Sequence, residues 1–298
     1  MIQDNKIHPW TITGLIDAEG SLGINITRKS NYIITLFLEI GLNAKDKVLL
    51  ERIQYTLEVG NIYYNPSDNT FKWKVSSINH LCNVIIPHLT AYPLLTQKRA
   101  DFELFKKIIE IIKRRDHLNF NGIQKIVNLK ASLNLGLSDN LKTFFPNTIP
   151  ATRLKIEFKG IPDPNWLSGF VEGEACFFVS IYKSLKSRLG LAVQLVFKIT
   201  QHSRDVELLK GISKFFECGR VENRKTEACD FTVNSFKAFD EKIIPFFLEY
   251  PLQGSKFKDF QDFNKIIKIL KIKGHLTKEG LDIIKDIKAG MNTGRKNN

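Results

Sequence analysis

The chain has few cysteines, and no two of them are close enough in sequence to act together. Cys82, Cys176, Cys218 and Cys229 are spread over 298 residues with no C-x-x-C spacing. That excludes a disulfide scaffold or a zinc finger and fits a reducing compartment, with the thiols as small buried apolar groups. Also missing is any apolar run of the roughly 18–20 residues that a membrane span needs. The opening MIQDNKIHPW lacks the apolar stretch of a signal peptide. The expectation is a soluble intracellular protein, or one made inside an organelle, with no membrane partner. Acids are scarce: 31 Asp and Glu face 44 Lys and Arg, a formal charge of +13. Such an excess calls for a polyanionic partner, and nucleic acid fits the charge and size best. With 43% hydrophobic residues the chain can still bury a real core.

The sequence is written twice. YPLLTQKRADFELFKKIIEIIK, starting at Tyr92, recurs as YPLQGSKFKDFQDFNKIIKILK, starting at Tyr250, 158 residues later. His117, Leu118, Gly122 and Lys130 then fall on His275, Leu276, Gly280 and Lys288 at the same offset. Upstream, KDKVLLERIQYTLEVGNI answers SRDVELLKGISKFFECGRV, and ITGLIDAEG answers LSGFVEGEA. Such a tandem duplication implies internal pseudo-two-fold symmetry, as in a dimer fused into one monomeric chain. The expected boundaries are 1–138 and 164–298 for the repeats. Residues 139–163, with Pro146, Pro150 and Pro162 and no sustained period, read as a linker.

Within each repeat a short apolar helix ends at Glu19 or Glu174. Two alternating segments follow, then an amphipathic helix, two shorter strands and C-terminal helices. The fold class is α+β, with two αββαββα-type repeats that each carry an antiparallel sheet. Phe102, Phe105, Ile109 and Ile112 sit at helical spacing and are expected as core.

Period-2 alternation sorts each strand into an apolar and a polar face. The polar faces hold Asn25, Thr27, Lys29, Lys72, Lys74, Ser180, Gln194, Lys198, Arg220 and Arg224. A two-stranded ribbon fits the major groove of DNA, where Asn, Gln, Arg and Lys discriminate bases. Ser21, Thr35, Phe37, Glu39, Ser76, Tyr182, Asp230 and Thr232 complete the candidate DNA-contacting set. For any one of these residues, simple solvation also explains the polarity.

Gly14 and Ala18 lie four apart, as do Gly169 and Gly173. Small residues at this spacing let two helix backbones approach closely. If the two copies pair, Glu19 and Glu174 emerge together and invite a hard divalent cation.

These segments resemble the LAGLIDADG motif of a class of homing endonucleases, in the single-chain, two-motif form. ITGLIDAEG matches Gly14, Leu15, Ile16, Asp17, Ala18 and Gly20, with Glu19 at the eighth position. LSGFVEGEA keeps Leu167 and Gly169, with Glu172 and Glu174 as its sixth- and eighth-position acids. The resemblance implies a DNA-binding saddle of two sheets. It further implies cleavage of both strands of a long asymmetric site, leaving short 3′ overhangs. Glu19 and Glu174 would be the catalytic, metal-binding acids, with the carbonyls of Ala18 and Gly173 as added ligands. Mg²⁺ is the expected metal, Mn²⁺ a substitute, and Ca²⁺ a cation that supports binding without cleavage. Lys225 and Gln201 are candidate active-site polar groups of the second repeat. The ninth position is Gly20 in one motif and Ala175 in the other. A left-handed backbone there would cost alanine about 1–2 kcal/mol.

The family implies double-stranded DNA as partner and an intron-encoded origin, commonly mitochondrial or in another organelle. Two alternatives use the same fold: an RNA maturase assisting intron splicing, with RNA as partner, and a non-cleaving DNA-binding protein. A third, from another class, is an interaction protein whose basic surface meets an acidic partner.

Overall fold

Alternating strands and amphipathic helices become two sheets, each backed by helices. The structure, a computed structural model, describes residues 6–28, 31–133 and 136–295. It divides into two compact units. The first comprises Met1–Pro9 and Glu19–Phe158, the second Trp10–Ala18 and Lys159–Asn298.

In chain order the elements of the first repeat are α1 (Pro9–Glu19), β1 (Gly20–Arg28), β2 (Tyr32–Asn43), α2 (Lys47–Leu57), β3 (Asn61–Asn65) and β4 (Thr70–Val75). Then come α3 (Ile78–His80), α4 (Ile86–Ala91), α5 (Lys98–Lys113), α6 (Phe120–Ala131) and α7 (Asp139–Phe144). The second repeat has α8 (Pro164–Glu174), β5 (Ala175–Lys183), β6 (Leu191–His202), α9 (Val206–Phe216), β7 (Arg220–Asn223) and β8 (Ala228–Val233). It closes with α10 (Phe236–Ala238), α11 (Ile244–Glu249), α12 (Lys256–Lys271) and α13 (Lys278–Ala289). No helix among the described residues is long and apolar enough to cross a membrane.

Each sheet is antiparallel and four-stranded, in the orders β1-β2-β4-β3 and β5-β6-β8-β7. Register keeps the two faces apart. Leu22 opposes Leu38 and Ile24 opposes Leu36 on the core side, while Ser21 opposes Glu39 and Asn25 opposes Thr35 on the other. A one-residue slip would exchange the faces, so burial of one face fixes the pairing. Gly23 leaves room for its cross-strand partner: a Cβ there would lie 2.0 Å from the Phe37 ring, which would have to swing aside.

The repeats reuse local devices with different side chains. Asn43 accepts the Lys45 N–H at 3.2 Å before α2, and His202 Nδ1 accepts the Arg204 N–H at 3.1 Å before α9. In both repeats a π-helical turn, Leu81–Ile85 or Phe239–Ile243, leads into α4 or α11. Pro87 and Pro245 follow at once; each lacks the N–H that would continue the i→i−4 ladder, and the turn widens there.

Phe102, Phe105 and Ile109 of α5 are buried. Ile112, expected with them, is only half-buried, near the helix end. The second core is phenylalanine-rich: Phe177 meets the rings of Phe197, Phe247, Phe260 and Phe263.

Residues 139–158 lie within the first unit and are not a bare connector. Leu141 and Phe145 pack with Ile123 and Val127. An extended strap follows: Ala151 donates to the Asn128 carbonyl at 3.0 Å, and Gln97 Nε2 donates to that of Ile156 at 2.9 Å. A prolyl segment without periodicity conceals such packing, because backbone bonds and isolated apolar side chains hold it.

Candidate metal centre and nucleic-acid interface

Helix α8 begins at Pro164, whose missing N–H falls in the first turn, where it has no helical partner to lose. Asp163 caps it by accepting the Asn165 N–H at 2.8 Å. The Trp10–Ala18 part of α1 packs against α8 within the second unit. A Cβ on Gly14 would lie 2.0 Å from the Trp166 carbonyl oxygen, and one on Gly169 2.0 Å from that of Thr11. Glycine at both places is what permits this backbone-to-backbone approach.

The motif's two acids in each repeat have separate duties. Asp17, 3% exposed, accepts the Trp166 indole N–H at 2.9 Å. Glu172 accepts the backbone N–H groups of Gln253 and Gly254, the latter at 2.8 Å. Both sixth-position acids are therefore packing groups. The eighth-position acids terminate their helices, Glu19 exposed and Glu174 half-buried. Ala175, next in the chain, has φ −100° and ψ 160°. This is extended backbone that alanine adopts freely, so the glycine-to-alanine departure carries no strain.

Lys256, the first residue of α12, was not singled out by sequence reasoning. Its Nζ donates to the carbonyls of Val171 at 2.9 Å, Gly173 at 3.3 Å, and Ala175. A cation at the C-terminal end of a helix meets the negative end of its dipole. The signal was present: Lys98 and Lys256 coincide in the repeat at the N-termini of α5 and α12. Gln201 lies two residues beyond Ile199, which pairs with Ala175. Lys225 lies in the exposed turn between β7 and β8, a turn joined to the end of β6 by the Ser203 N–H to the Glu227 carbonyl, 3.1 Å.

The donors at the motif-helix ends are carboxylates and backbone carbonyls. This is hard oxygen chemistry, suited to Mg²⁺ or Ca²⁺ rather than to soft metals. The Gly173 carbonyl has a second lone pair beyond the one shared with Lys256. Among the described residues no group of three His, Cys, Asp or Glu forms a metal cluster.

On the open face of the first sheet, Ser21, Asn25, Thr27 and Thr35 are exposed, as is Ser76 just past β4. Lys29 lies outside the described residues. Glu39 is held by Lys72 at 3.5 Å and Lys74 at 3.2 Å, and Lys74 Nζ stands 3.6 Å from the Phe37 ring centroid. Tyr63, 54% exposed, pairs with Lys72 on this face. The short strand β3 carried too little alternation to reveal it.

In the second sheet Ser180 and Gln194 are half-buried, Tyr182 and Arg220 exposed, and Arg220 pairs with Glu222 at 2.9 Å. Asp230 gathers Lys198 at 3.3 Å, Arg224 at 2.7 Å and the Thr200 hydroxyl at 2.7 Å. Burial pushes its carboxyl up, but Arg224, Thr200 and Lys198 outweigh this and hold it below the usual range. Two face positions are shielded: Asp230 and Thr232 are 8% and 7% exposed. Asp230 is thus an organiser of cations, with its lone pairs engaged, rather than a free acid facing solvent.

Ile40 pairs with Trp73 as Ile199 pairs with Phe231, so Glu39 corresponds to Lys198 and Lys72 to Asp230. The same cross-strand ion pair occurs in both sheets with its signs exchanged.

Two acid-ended helices, each leading into a charged antiparallel sheet, make a duplicated two-motif architecture. The LAGLIDADG endonuclease family profile matches residues 12–109 and 167–267. The chain belongs to that family. It is similar to "Probable intron-encoded endonuclease 2" of Neurospora crassa, at 38% identity over 96% of this chain and 65% of that protein. It thus spans about two thirds of that relative's length. It is also similar to the I-LtrWI LAGLIDADG homing endonuclease, solved bound to target DNA, at 52% identity, TM-score 0.94, covering 97% of this chain and 98% of that one. I-SmaMI, solved bound to cleaved DNA, aligns at 39% identity and TM-score 0.95 over 98% of this chain and 99% of its own. The same protein has been solved on an uncleaved target with calcium ions, and as a double lysine-to-alanine mutant.

Proposed function

We propose that the protein is a site-specific, divalent-cation-dependent DNA endonuclease that cuts both strands of a long asymmetric target and leaves short 3′ overhangs. The observation that carries this reading is the pair of motif helices ending in Glu19 and Glu174, in a chain whose sheets present ordered cations. Glu19 and Glu174, with the carbonyls of Ala18 and Gly173, hold the cations, Mg²⁺ or Mn²⁺ in the cleaving state. When bound there, such cations would supply activation of a water for attack and neutralisation of charge on the scissile phosphate and leaving oxygen. Lys256, bonded to the carbonyls around Glu174, is the basic residue we assign to the second half, in preference to Lys225. Lys98 is its counterpart in the first half. Gln201, near the Ala175 end of the second sheet, orients polar groups beside it.

Lys72, Lys74, Lys198, Arg220 and Arg224 contact DNA, with Asn25, Thr27, Thr35, Gln194 and neighbouring face residues reading bases. DNA-bound, single-chain relatives support double-stranded DNA as partner and a monomer as the working form. Relatives named for intron encoding, one from an ND4 intron, support an organelle gene as the source.

Selection of cleaved sites from a randomised DNA library in Mg²⁺ tests the reading and yields the target. Glu19→Gln and Glu174→Gln are expected to abolish double-strand cleavage while specific binding in Ca²⁺ persists. Full cleavage by either variant would remove the catalytic assignment.

A further inference from the structure

The last described turn is built into the second repeat beside the start of β5. Met291, 4% exposed, leads into a 3-10 turn, Asn292–Gly294, followed by Arg295. Asn292 bridges two elements at once. Its backbone N–H donates to Asp259 Oδ1 of α12 at 3.0 Å, and its side-chain Nδ2 donates to the Phe177 carbonyl of β5 at 3.0 Å. The Cys176 thiol approaches its Oδ1 at 3.7 Å. Arg295 then neutralises Asp259, with Nη2 donating to Oδ1 at 2.7 Å and reaching Asp262 at 2.7 Å. Asp259 is 6% exposed, so its charge is poorly solvated and needs this partner.

What the buckle joins is what matters. Phe177 is three residues past Glu174 on the strand that continues the motif helix. Asp259 is three residues past Lys256, one turn along α12. The buckle therefore fixes the spacing between the segment bearing Glu174 and the segment bearing Lys256, whose Nζ reaches the carbonyls of Val171, Gly173 and Ala175.

The first repeat has a counterpart made from unrelated sequence. Asp101, three residues past Lys98 and 2% exposed, is held by Arg153 of the strap through Nη1 and Nη2, the latter to Oδ2 at 3.2 Å. Arg153 also donates to the carbonyls of Gln97 at 3.0 Å and Ser132 at 3.2 Å. Both repeats thus bury an aspartate in the first turn of the lysine-bearing helix and clamp it with an arginine from the segment after the last long helix. A duplication that recruited different arginines to one task points to a requirement at that place.

We infer that Asn292 and Arg295 in the second repeat, and Arg153 in the first, are positioning residues for Lys256 and Lys98, each clasp serving one strand's cleavage. This rests on the endonuclease reading above. The clasps contact neither DNA nor metal; in the second repeat the clasp sets where the Lys256 ammonium stands relative to the carbonyls of Val171, Gly173 and Ala175, and in the first it holds the helical turn that begins at Lys98. A misplacement on the order of 1 Å costs about 100-fold in rate, so loss of a clasp slows chemistry by about 10- to 100-fold without loss of affinity.

The test uses the full chain and supercoiled plasmid carrying the selected target, each strand end-labelled in a parallel linear substrate. Asn292→Gly keeps the backbone at its φ of 53° easy while removing the amide. Arg295→Ala and Arg153→Ala open the two clasps, and Arg295→Lys restores the charge facing Asp259. Lys256→Ala and Lys98→Ala identify the strand that depends on each lysine. DNA binding without divalent metal and the thermal midpoint are measured on every variant. Wild-type linearisation reports on the endonuclease reading by itself, and only the strand ratio reports on the clasps.

The expected result is that Asn292→Gly and Arg295→Ala slow the strand sensitive to Lys256→Ala and accumulate nicked circles. Arg153→Ala should slow the other strand, Arg295→Lys should recover part of the rate, and binding should be unchanged throughout. Equal slowing of both strands in proportion to lost stability, unchanged cleavage by Asn292→Gly and Arg295→Ala, or no strand preference in the lysine variants would each overturn the inference.

Discussion

Trp166 donates its indole N–H to the Asp17 carboxylate at 2.9 Å, joining the body of the first motif helix to the start of the second. The partners are 149 residues apart in sequence, and the bond is buried. Trp166→Phe retains most of the ring and removes the donor. Leaving a buried carboxylate short of a partner costs about 1–3 kcal/mol. Urea denaturation should show a lower midpoint with an unchanged slope, and an unchanged midpoint would mean that the bond contributes nothing.

The glycines beside this bond leave no room for a side chain. Gly14→Ala and Gly169→Ala each drive a methyl into a backbone carbonyl of the facing helix, where no flexible side chain can yield. Overpacking of this kind costs about 1–3 kcal/mol or more. Both variants should melt at lower temperature, and both should lose cleavage before they lose DNA binding. Neutral behaviour in both would contradict the close approach.

Asp230 and Glu39 organise cations on the sheet faces, so their removal should alter discrimination more than affinity. Asp230→Asn frees Lys198 and Arg224 from a shared anchor and removes one negative charge from the face. Non-specific affinity should hold or rise, while preference at one base pair falls by about 1–3 kcal/mol, read by competition among single-base variants of the target. The carboxyl is held below its usual range, so the stability it contributes is present above the ordinary aspartate pKa. That stability is lost as pH falls through the folded value. Wild type and Asp230→Asn should therefore converge in stability in strong acid.

His88 on α4 makes a pH signature of the opposite kind. Burial pushes its pKa from 6.5 down to about 4, so the fold holds the ring neutral while the unfolded chain takes up a proton near 6.5. Stability should be full above 6.5, fall as pH drops toward 4, and level off below. The loss should be at most about 3–4 kcal/mol, from 1.36 kcal/mol per pH unit across the interval from 6.5 to about 4. His88→Phe, which keeps a ring against Tyr92, should remove that part of the slope. A slope unchanged in the variant would place the titration elsewhere.

Periodicity and repetition made much of this molecule legible. Alternation in YIITLFLEIGLN placed Thr35, Phe37 and Glu39 on one face, and the register against β1 and β4 keeps them there. The doubled motif led to the family. Less visible were residues whose meaning depends on partners far away in sequence. Lys256 is one lysine among many until its ammonium meets three carbonyls of another segment. Asp17 reads as a motif acid until Trp166 shows it to be a buried acceptor. Asp230 and Thr232 follow the alternation of an open face, yet neighbouring side chains cover them.

The sequence by itself determined that the chain is duplicated, basic and α+β, and that each half carries an acid at the end of an apolar helix. These properties reside in spacing and composition, which are local and additive. Only the tertiary structure decided that the sixth-position acids, Asp17 and Glu172, are taken up in packing, and which arginine clamps each buried aspartate. Arg153 and Arg295 hold equivalent aspartates from positions that do not align, because a buried charge demands a partner from whatever segment can reach it. That demand is satisfied in three dimensions and leaves no spacing to read in one.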